Sequence, residues 1–207
     1  MTDVTFRPQK GQASGQFINI QRLHVAKLLT DTPEGATYDE PLDMGKVLRS
    51  IDINPTNNQA ELYADGQTID VATNTASYEL TLETAALPLS YVAYLLGHKF
   101  ENGKMVAGKD DTAPYFALMF QSDKRNGGVR YTKFYKVQFS EPAVKGSTKE
   151  ANITFQTPTL TGKAIYRLSD GLSYSYADTK DKDFDEATIA NWYTAVDEVE
   201  EAGGDGE

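Results

Sequence analysis

Three aspartates at alternate positions, Asp181, Asp183 and Asp185, have the spacing of a calcium-binding loop. They would take the first, third and fifth positions of that loop. The sixth position, however, is Glu186 where the loop needs glycine, and the twelfth is Trp192 where a bidentate glutamate belongs. We therefore interpret the stretch as an acidic surface segment followed by a helix start, and we predict no metal site here.

The other residues that could do chemistry are equally isolated. Glu79 and Glu83 lie four residues apart in a predicted strand, which separates their α-carbons by about 13 Å and is wide for a glycosidase pair. His24 and His98 lack a third ligand at a recognisable spacing, so we predict that they are packed or solvent-facing. The chain has no cysteine, and the motifs of serine hydrolases, phosphate-binding loops and zinc proteases are missing. We predict neither enzymatic activity nor a cofactor.

Composition and charge place the chain among ordinary globular proteins. Its 207 residues, 40% of them hydrophobic, are enough for one domain with a sizeable core. The formal charge of -10 is concentrated from position 178 onward, so the rest of the chain is close to neutral. No basic stripe could neutralise phosphates, which argues against tight nucleic-acid binding. Because neither a signal peptide nor a long apolar run occurs, we expect a soluble product, made in the cytoplasm and without membrane contact.

Alternating apolar and polar residues dominate the chain and predict β-strands. The clearest example is the stretch 76–84, in which every second residue up to Leu82 is apolar. The Asp65-Gly66 pair and the glycines after Asn126 predict hairpin turns, whereas Pro158 and Gly162 predict a bend or bulge. We count about nine to eleven strands and predict a mainly β fold, with a strand density typical of a β-sandwich or an open barrel.

A helix is predicted from Ala85 to Leu96, with Thr84 as its N-cap and Gly97 as its stop. One face carries Leu89, Val92, Ala93 and Leu96, and the other carries Leu87, Tyr91, Tyr94 and Leu95. A helix that is apolar all round must be buried all round. We therefore predict that one face covers the protein's own sheet and that the other meets a second molecule.

A second helix, conventionally amphipathic, is predicted near the C-terminus. Asp185 is a suitable N-cap, and Phe184 and Ile189 have the spacing of a hydrophobic staple. Its apolar stripe, predicted to dock on the sheet, consists of Ile189, Trp192, Tyr193 and Val196.

Composition also predicts the boundaries of the domain. Residues 1–16 form an N-terminal arm, 17–196 form one domain with an extended hairpin at 55–75, and 197–207 form a disordered acidic tail.

Six segments taken together resemble the major tail proteins of long-tailed phages, the phi13-type family. In order, they are LYADG at 62–66, LP and LLGH within 87–98, DDTAPYFALMFQSDKRNGGVRY at 110–131, YKVQFSEP at 135–142, ITFQTPTLTG at 153–162 and DEATIANWYTAV at 185–196. Each segment is weak alone, but the ordered set is specific and extends from about residue 20 to 196.

The resemblance implies a structural tail-tube subunit. Members of that family form a β-sandwich with a flanking helix, assemble into six-fold rings, and contribute strands to the inner β-barrel of a hollow tube. DNA passes through the lumen during genome ejection without tight binding. The implied partners are further copies of the chain, the tail terminator and tail tip proteins, and the tape measure protein within the lumen. The implied location is the virion tail, after assembly in the host cytoplasm.

A lumen that lets DNA slide should avoid exposed bases, because lysine and arginine hold phosphates. We place the strands at 47–54, 76–84, 131–140 and 150–157 on the inner sheet. The lumen-lining candidates are the polar residues of their non-core faces, namely Ser50, Asp52, Glu79, Thr81, Glu83, Asn152, Thr154 and Gln156. Lys133 and Lys136 lie on opposite faces of one strand, so one of them would point inward unless it pairs with an acid.

Contacts between copies are predicted for the second face of the helix and for the extended hairpin. The interface candidates are Leu87, Tyr91, Tyr94, Leu95, Tyr63, Asp65 and Gly66. The arm at 1–16 and the hairpin at 55–75 are predicted to reach a neighbouring ring or subunit.

Two other functions remain open at this point. A monomeric β-sandwich binding module, for a carbohydrate or a surface protein, would use the twelve tyrosines as a platform. A hydrolase has only unplaced carboxylates in its favour. The burial of Tyr91, Tyr94 and Leu95 discriminates among the three, because exposure in one copy and coverage in an assembly support the tube.

Overall fold

The computed structural model of the chain describes residues 15–64, 67–143 and 157–196, and these contain eleven strands and two short helices. The strands are β1 Phe17–Thr32, β2 Gly35–Tyr38, β3 Leu42–Asp43, β4 Leu48–Ala64, β5 Gln67–Thr84, β6 Lys99–Glu101, β7 Lys104–Val106, β8 Tyr115–Lys124, β9 Val129–Phe139, β10 Thr159–Ala164 and β11 Tyr174–Asp178. The helices are α1 Leu89–Leu96 and α2 Ala187–Ala190.

Nine of these strands form one antiparallel sheet. Its order is β2-β1-β8-β9-β10-β5-β4, with β11 beside the first half of β9 and β3 beside β1. β1 and β4 lie towards opposite ends of this order, yet they contact each other, and side chains from both halves of the sheet meet in one core. The sheet is therefore folded over on itself, which confirms the predicted mainly β fold and is consistent with a sandwich.

The alternation at 76–84 is explained by this core. Leu80 and Leu82 of β5 point into it, and the intervening residues point away. Most of the other buried members come from β1, β8, β9, β10 and α1, and they include Val25, Phe116, Leu118, Phe134, Val137, Leu160 and Leu95. One hydrophobic cluster therefore joins strands that are far apart in the sequence.

The predicted strands between 47 and 84 are two long strands rather than several short ones. β4 and β5 pair along their whole length, from Leu48 with Thr84 to Ala64 with Gln67, and so include the predicted hairpin at 55–75. The Asp65-Gly66 turn between them lies outside the described residues.

The bulge predicted at Gly162 is wrong. β10 keeps an unbroken register with β5 through this residue. A Cβ at Gly162 would lie 3.0 Å from Cδ1 of Phe139 and 3.2 Å from the carbonyl oxygen of Gln138. Glycine is present because β9 approaches too closely for a side chain.

α1 begins later than predicted, at Leu89 after Pro88. Thr84 is not its cap, because that residue ends β5 and its Oγ1 donates a hydrogen bond to the carbonyl of Pro158 (3.0 Å). The helix ends at Gly97 as predicted, with a φ of 74°. A Cβ there would lie 2.5 Å from the carbonyl oxygen of Thr112, so the position is restricted to glycine.

The C-terminal segment 184–196 packs on the outer face of the sheet. The backbone N–H of Ala187 donates to Oδ1 of Asp185 (3.0 Å), as expected of the predicted cap. Phe184 and the predicted stripe of Ile189, Trp192, Tyr193 and Val196 join Ala26, Ala117, Met119 and Ala177 in a second apolar cluster. The predicted docking is confirmed, although the regular helix is only four residues long. The arm up to residue 14 and the tail at 197–207 lie outside the described residues.

Neither helix in the described part of the chain has the length and apolarity that a membrane-crossing helix requires.

The two leucines of α1 give a matched test of this packing. Leu95 is 1% exposed and Leu89 is 46% exposed. We expect Leu95→Ala to lower the free energy of unfolding by about 3 kcal/mol, because it leaves a cavity in the core. Leu89→Ala should change it by about 0.5 kcal/mol or less. Chemical denaturation of the dispersed protein measures both, and equal effects would contradict the assignment of Leu95 to the core.

Candidate lumen face and subunit interface

One face of β4 and β5 is polar and open. The register places Ser50 opposite Glu83 and Asp52 opposite Thr81, while Glu79 follows on the same face of β5. All five are exposed or half-buried, and the opposite face of the same strands is the core. The structure therefore brings five of the predicted lumen residues onto one surface, here called the polar face, whose position in an assembly stays a prediction.

β10 extends the polar face with residues that the sequence analysis did not place there. Thr159, Thr161 and Lys163 lie opposite Glu83, Thr81 and Glu79, respectively. Lys163 adds a base beside Glu79. The alternation of TLTGKA could have indicated these side chains, but nothing in the sequence showed that this strand pairs with β5.

Glu83 is held by three neighbours on the polar face. Its carboxylate accepts hydrogen bonds from Oγ1 of Thr157 (2.6 Å) and Oγ of Ser50 (3.3 Å), and it forms an ion pair with Arg49 (3.0 Å). The hydrogen bond from Thr157 is the main cause that lowers the pKa of Glu83, and Arg49 and Ser50 add to it. The ladder shifts between Leu48 and Ser50, so Arg49 is the irregular position, and its charge is neutralised locally.

Several predicted residues cannot be placed on this surface. Asn152, Thr154, Gln156, Asp65 and Gly66 lie outside the described residues. The backbone of Tyr63 pairs with that of Thr68, but its side chain is outside the described part of the chain.

The strand predicted at 131–140 does not belong to an open inner face. It corresponds to β9, which has neighbours along both edges and is buried on both faces. Lys133 is 1% exposed, and its ammonium lies 4.5 Å from the ring centre of Trp192. Nζ of Lys136 lies 2.6 Å from Oδ2 of Asp31. The prediction for this strand is wrong because both lysines, one on each face, are used inside the subunit.

The prediction for the second face of α1 also needs correction. Leu95 is buried in the subunit's own core, so it has no area left for a neighbour. It lies three residues after Val92 and shares the buried side of the helix. Leu87, Tyr91 and Tyr94 are half-buried and pack against the core cluster, and Tyr94 stacks edge-on against Phe116.

Leu89, which the sequence analysis assigned to the inner face, is the exposed leucine of α1. It borders an apolar depression of about 580 Å³, here called the α1 pocket. The pocket is lined mainly by Leu87, Leu89, Val92, Met105, Pro158 and Leu160. The outward apolar surface near α1 therefore centres on Leu87 and Leu89 rather than on Leu95.

His98, just after α1, joins two carboxylates. Its Nδ1 lies 2.8 Å from Asp111 and its Nε2 lies 2.5 Å from Glu141. The hydrogen bonds to Asp111 and then Glu141 raise the pKa of His98 above its ordinary value of 6.5. The backbone N–H of Gly108 and the hydrogen bond to His98 lower the pKa of Asp111. The side chain is packed, as predicted, and it ties the chain after β7 to the chain after β9.

The carboxylates at His98 lie on opposite sides of the ring and do not converge. In the part of the chain that the structure describes, no group of three or more His, Asp or Glu side chains could hold a metal ion. This region includes Asp181, Asp183 and Asp185.

Comparison with known families decides the class of protein. A family model described as phage tail tube protein matches residues 48–194, from the start of β4 to the segment after α2. The chain belongs to this family. It is thus a structural, non-enzymatic component of the virion tail that assembles with itself into a tube. The match covers the polar face and α1. A comparison with curated proteins gave no match.

The His98 contacts predict a pH-dependent contribution to the stability of this tail tube subunit. Because the pKa is higher in the folded state, the stabilisation is complete below pH 6.5 and is lost as the pH rises through the folded-state pKa. We expect the difference in unfolding free energy between the wild-type chain and His98→Gln to be largest below pH 6.5 and to shrink at higher pH. Denaturation at several pH values measures it. Asp110→Asn, at an exposed neighbouring carboxylate, is the control, and a pH-independent difference would refute the assignment.

Proposed function

We propose that the chain forms six-fold rings that stack into a hollow tube, and that the polar face of β4, β5 and β10 lines its lumen. DNA passes along this wall during genome ejection without being held. The tail terminator and tail tip proteins close the ends of the tube, and the tape measure protein occupies the lumen before ejection.

The observation that carries this proposal is the two-sided character of β4, β5 and β10 within the matched region. Their inner face is the subunit core, and their outer face carries Asp52, Glu79, Thr81 and Thr161. The guanidinium of Arg49 forms an ion pair with Glu83 on this face, and Lys163 lies opposite Glu79 in the neighbouring strand. A wall of hydroxyls and carboxylates, in which Arg49 is paired and Lys163 stands opposite a carboxylate-bearing residue, gives phosphates no continuous basic track.

The sheet also has an edge that favours lateral pairing. Within the described residues, the long strand β4 has a ladder partner on one side only, β5. An open strand edge of this length is a template for pairing with another chain. Pairing around a closed ring of copies would satisfy the edge and continue the polar face from one subunit to the next.

A tube needs two head-to-tail contacts between different surfaces of the subunit. One contact returns to the first copy and makes a closed ring, and the other repeats without closing and stacks one ring on the next. Of the predicted interface residues, Leu87, Tyr91 and Tyr94 are partly exposed and remain candidates, together with Leu89. Leu89, Tyr91 and Tyr94 belong to α1, and Leu87 lies just before it. Leu87 and Leu89 line the α1 pocket together with Thr157 and Thr159, which border the polar face.

Electron microscopy of the purified full chain tests the proposal. We expect rings or tubes, with end-on class averages that show six-fold symmetry and a central channel. A chain that stays monomeric at high concentration, in the presence of a tail tip complex, would argue against it. Rings of another symmetry would correct the subunit number only.

Cysteine labelling tests which surface lines the lumen, because the native chain has no cysteine. Thr81 lies at the centre of the polar face, between Asp52 on β4 and Thr161 on β10. In assembled tubes, we expect Thr81→Cys to react with a small maleimide but not with one attached to a protein wider than the channel. Dispersed subunits should react with both. Glu186→Cys, at an exposed position beside α2, is the control that should react with both in either state. Equal labelling of Thr81→Cys by the large reagent in tubes would place the polar face outside.

A further inference from the structure

Leu168 is an exposed leucine on a braced loop. It lies in residues 165–173, here called the β10–β11 loop, and it is 67% exposed. A single exposed leucine is ordinary on a protein surface. The backbone around Leu168, however, is held by several hydrogen bonds and ion pairs.

Asp31 of β1 anchors the first half of the loop. Its carboxylate accepts hydrogen bonds from the backbone N–H groups of Leu168 (2.9 Å) and Ser169 (3.1 Å), and it forms the ion pair with Lys136. Burial alone would raise the pKa of Asp31, but the hydrogen bonds from Lys136, Leu168 and Ser169 outweigh it and lower that pKa. The carboxylate therefore stays charged and holds the backbone at Leu168 in place.

Arg167 anchors the rest of the loop. Its buried guanidinium forms an ion pair with Asp170, lies 4.2 Å from the ring centre of Tyr135, and donates to the hydroxyl of Tyr38 (3.3 Å). Backbone hydrogen bonds from Ile165 to Lys136 and from Tyr135 to Ser173 tie both ends of the loop to β9. All of these contacts lie within one subunit, so little conformational entropy would be lost when the loop makes a contact.

The α1 pocket offers a complementary apolar surface at the other end of β10. β10 separates Pro158 of the pocket from the β10–β11 loop by six residues, or about 20 Å of extended chain. Leu168 and the pocket of one subunit are therefore separate surfaces. A contact between them must join two copies head to tail, which is the type of contact that builds rings or stacks.

We infer that Leu168 of one subunit docks into the α1 pocket of the next copy. This inference rests on the proposed assembly of rings into a tube. The occupant is a second copy because the family assembles with itself, and because the Leu168 side chain and the pocket are both apolar and lie at opposite ends of β10 in one chain. The braced loop supplies a fixed anchor, and Leu89 forms the exposed side of the pocket that receives it.

Disulfide cross-linking in assembled tubes tests the contact. The double variant Leu168→Cys with Leu89→Cys carries one cysteine on each surface. After oxidation, we expect a ladder of multimers longer than dimers on non-reducing gels, since every chain can link to two others. Either single variant should give no ladder. Leu168→Cys with Val106→Cys, at an exposed position that does not line the pocket, is the matched control and should also give none.

The cross-linking results distinguish a failure of this contact from a failure of the proposed function. Intact tubes without a ladder would overturn the contact and leave the tube proposal standing, whereas a wild-type chain that forms no tubes would defeat the tube proposal itself. A fast-migrating, internally cross-linked monomer would show that the two surfaces meet within one chain and would also overturn the contact. Slow labelling of Leu89→Cys in the dispersed subunit would show a pocket already filled by its own chain, with the same consequence.

If the cysteine variants do not assemble, a charge substitution at Leu168 tests the contact instead. Leu168→Asp should fold as the wild-type chain does, by circular dichroism, and should fail to form tubes. Leu168→Met should fold and form them. Tubes formed by Leu168→Asp at the wild-type concentration would overturn the contact.

Discussion

The fold depends on one constraint: consecutive residues of β5 must serve two different surfaces. Leu80 and Leu82 are fixed in the core, and this fixes Thr81 and Glu83 on the opposite side. Since β4 and β10 pair with β5 on either side, the same burial sets their registers too. The packing of the core therefore determines which side chains form the polar face. A register slip of one residue would turn the core side chains outward and the polar side chains inward.

Buried bases are a second organising feature, and they are kept away from the polar face. Lys124 pairs with Asp178, Lys136 with Asp31, and Lys133 lies against Trp192. Burying such charges costs solvation, which pairing repays only in part, so these contacts are not evidence of a large stabilisation. Here they hold β1, β11 and the C-terminal segment against β8 and β9. These three lysines are thus used within the subunit, on β8 and β9 rather than on β4 and β5.

The elements with local signals could be predicted from the sequence, and their spatial neighbours could not. Alternation located the strand at 76–84, and the glycines after Asn126 located the β8–β9 turn. The capping pattern at Asp185 located the C-terminal segment. Periodicity, however, does not show which strand pairs with which, so Lys163 on β10 and the burial of β9 were missed. The faces of α1 were misassigned because the predicted first turn at 85–88 is not helical, and because periodicity alone does not show that Leu95 shares the buried side with Val92 and Leu96.

The pairing of β1 with β8 has a consequence for the order in which the chain can fold. Asn19 and Asp123 form one of its contacts, and they are separated by 104 positions. During synthesis, β4 and β5 can form their hairpin as soon as they emerge, because closing a short turn is fast. β1 must wait for β8, and the sandwich stays open until then. β10, which joins β5 to β9, is made later still, so a nascent chain exposes an unfinished sheet until residue 164 has been added. Only after that can the subunit join a growing polymer with its sheet complete.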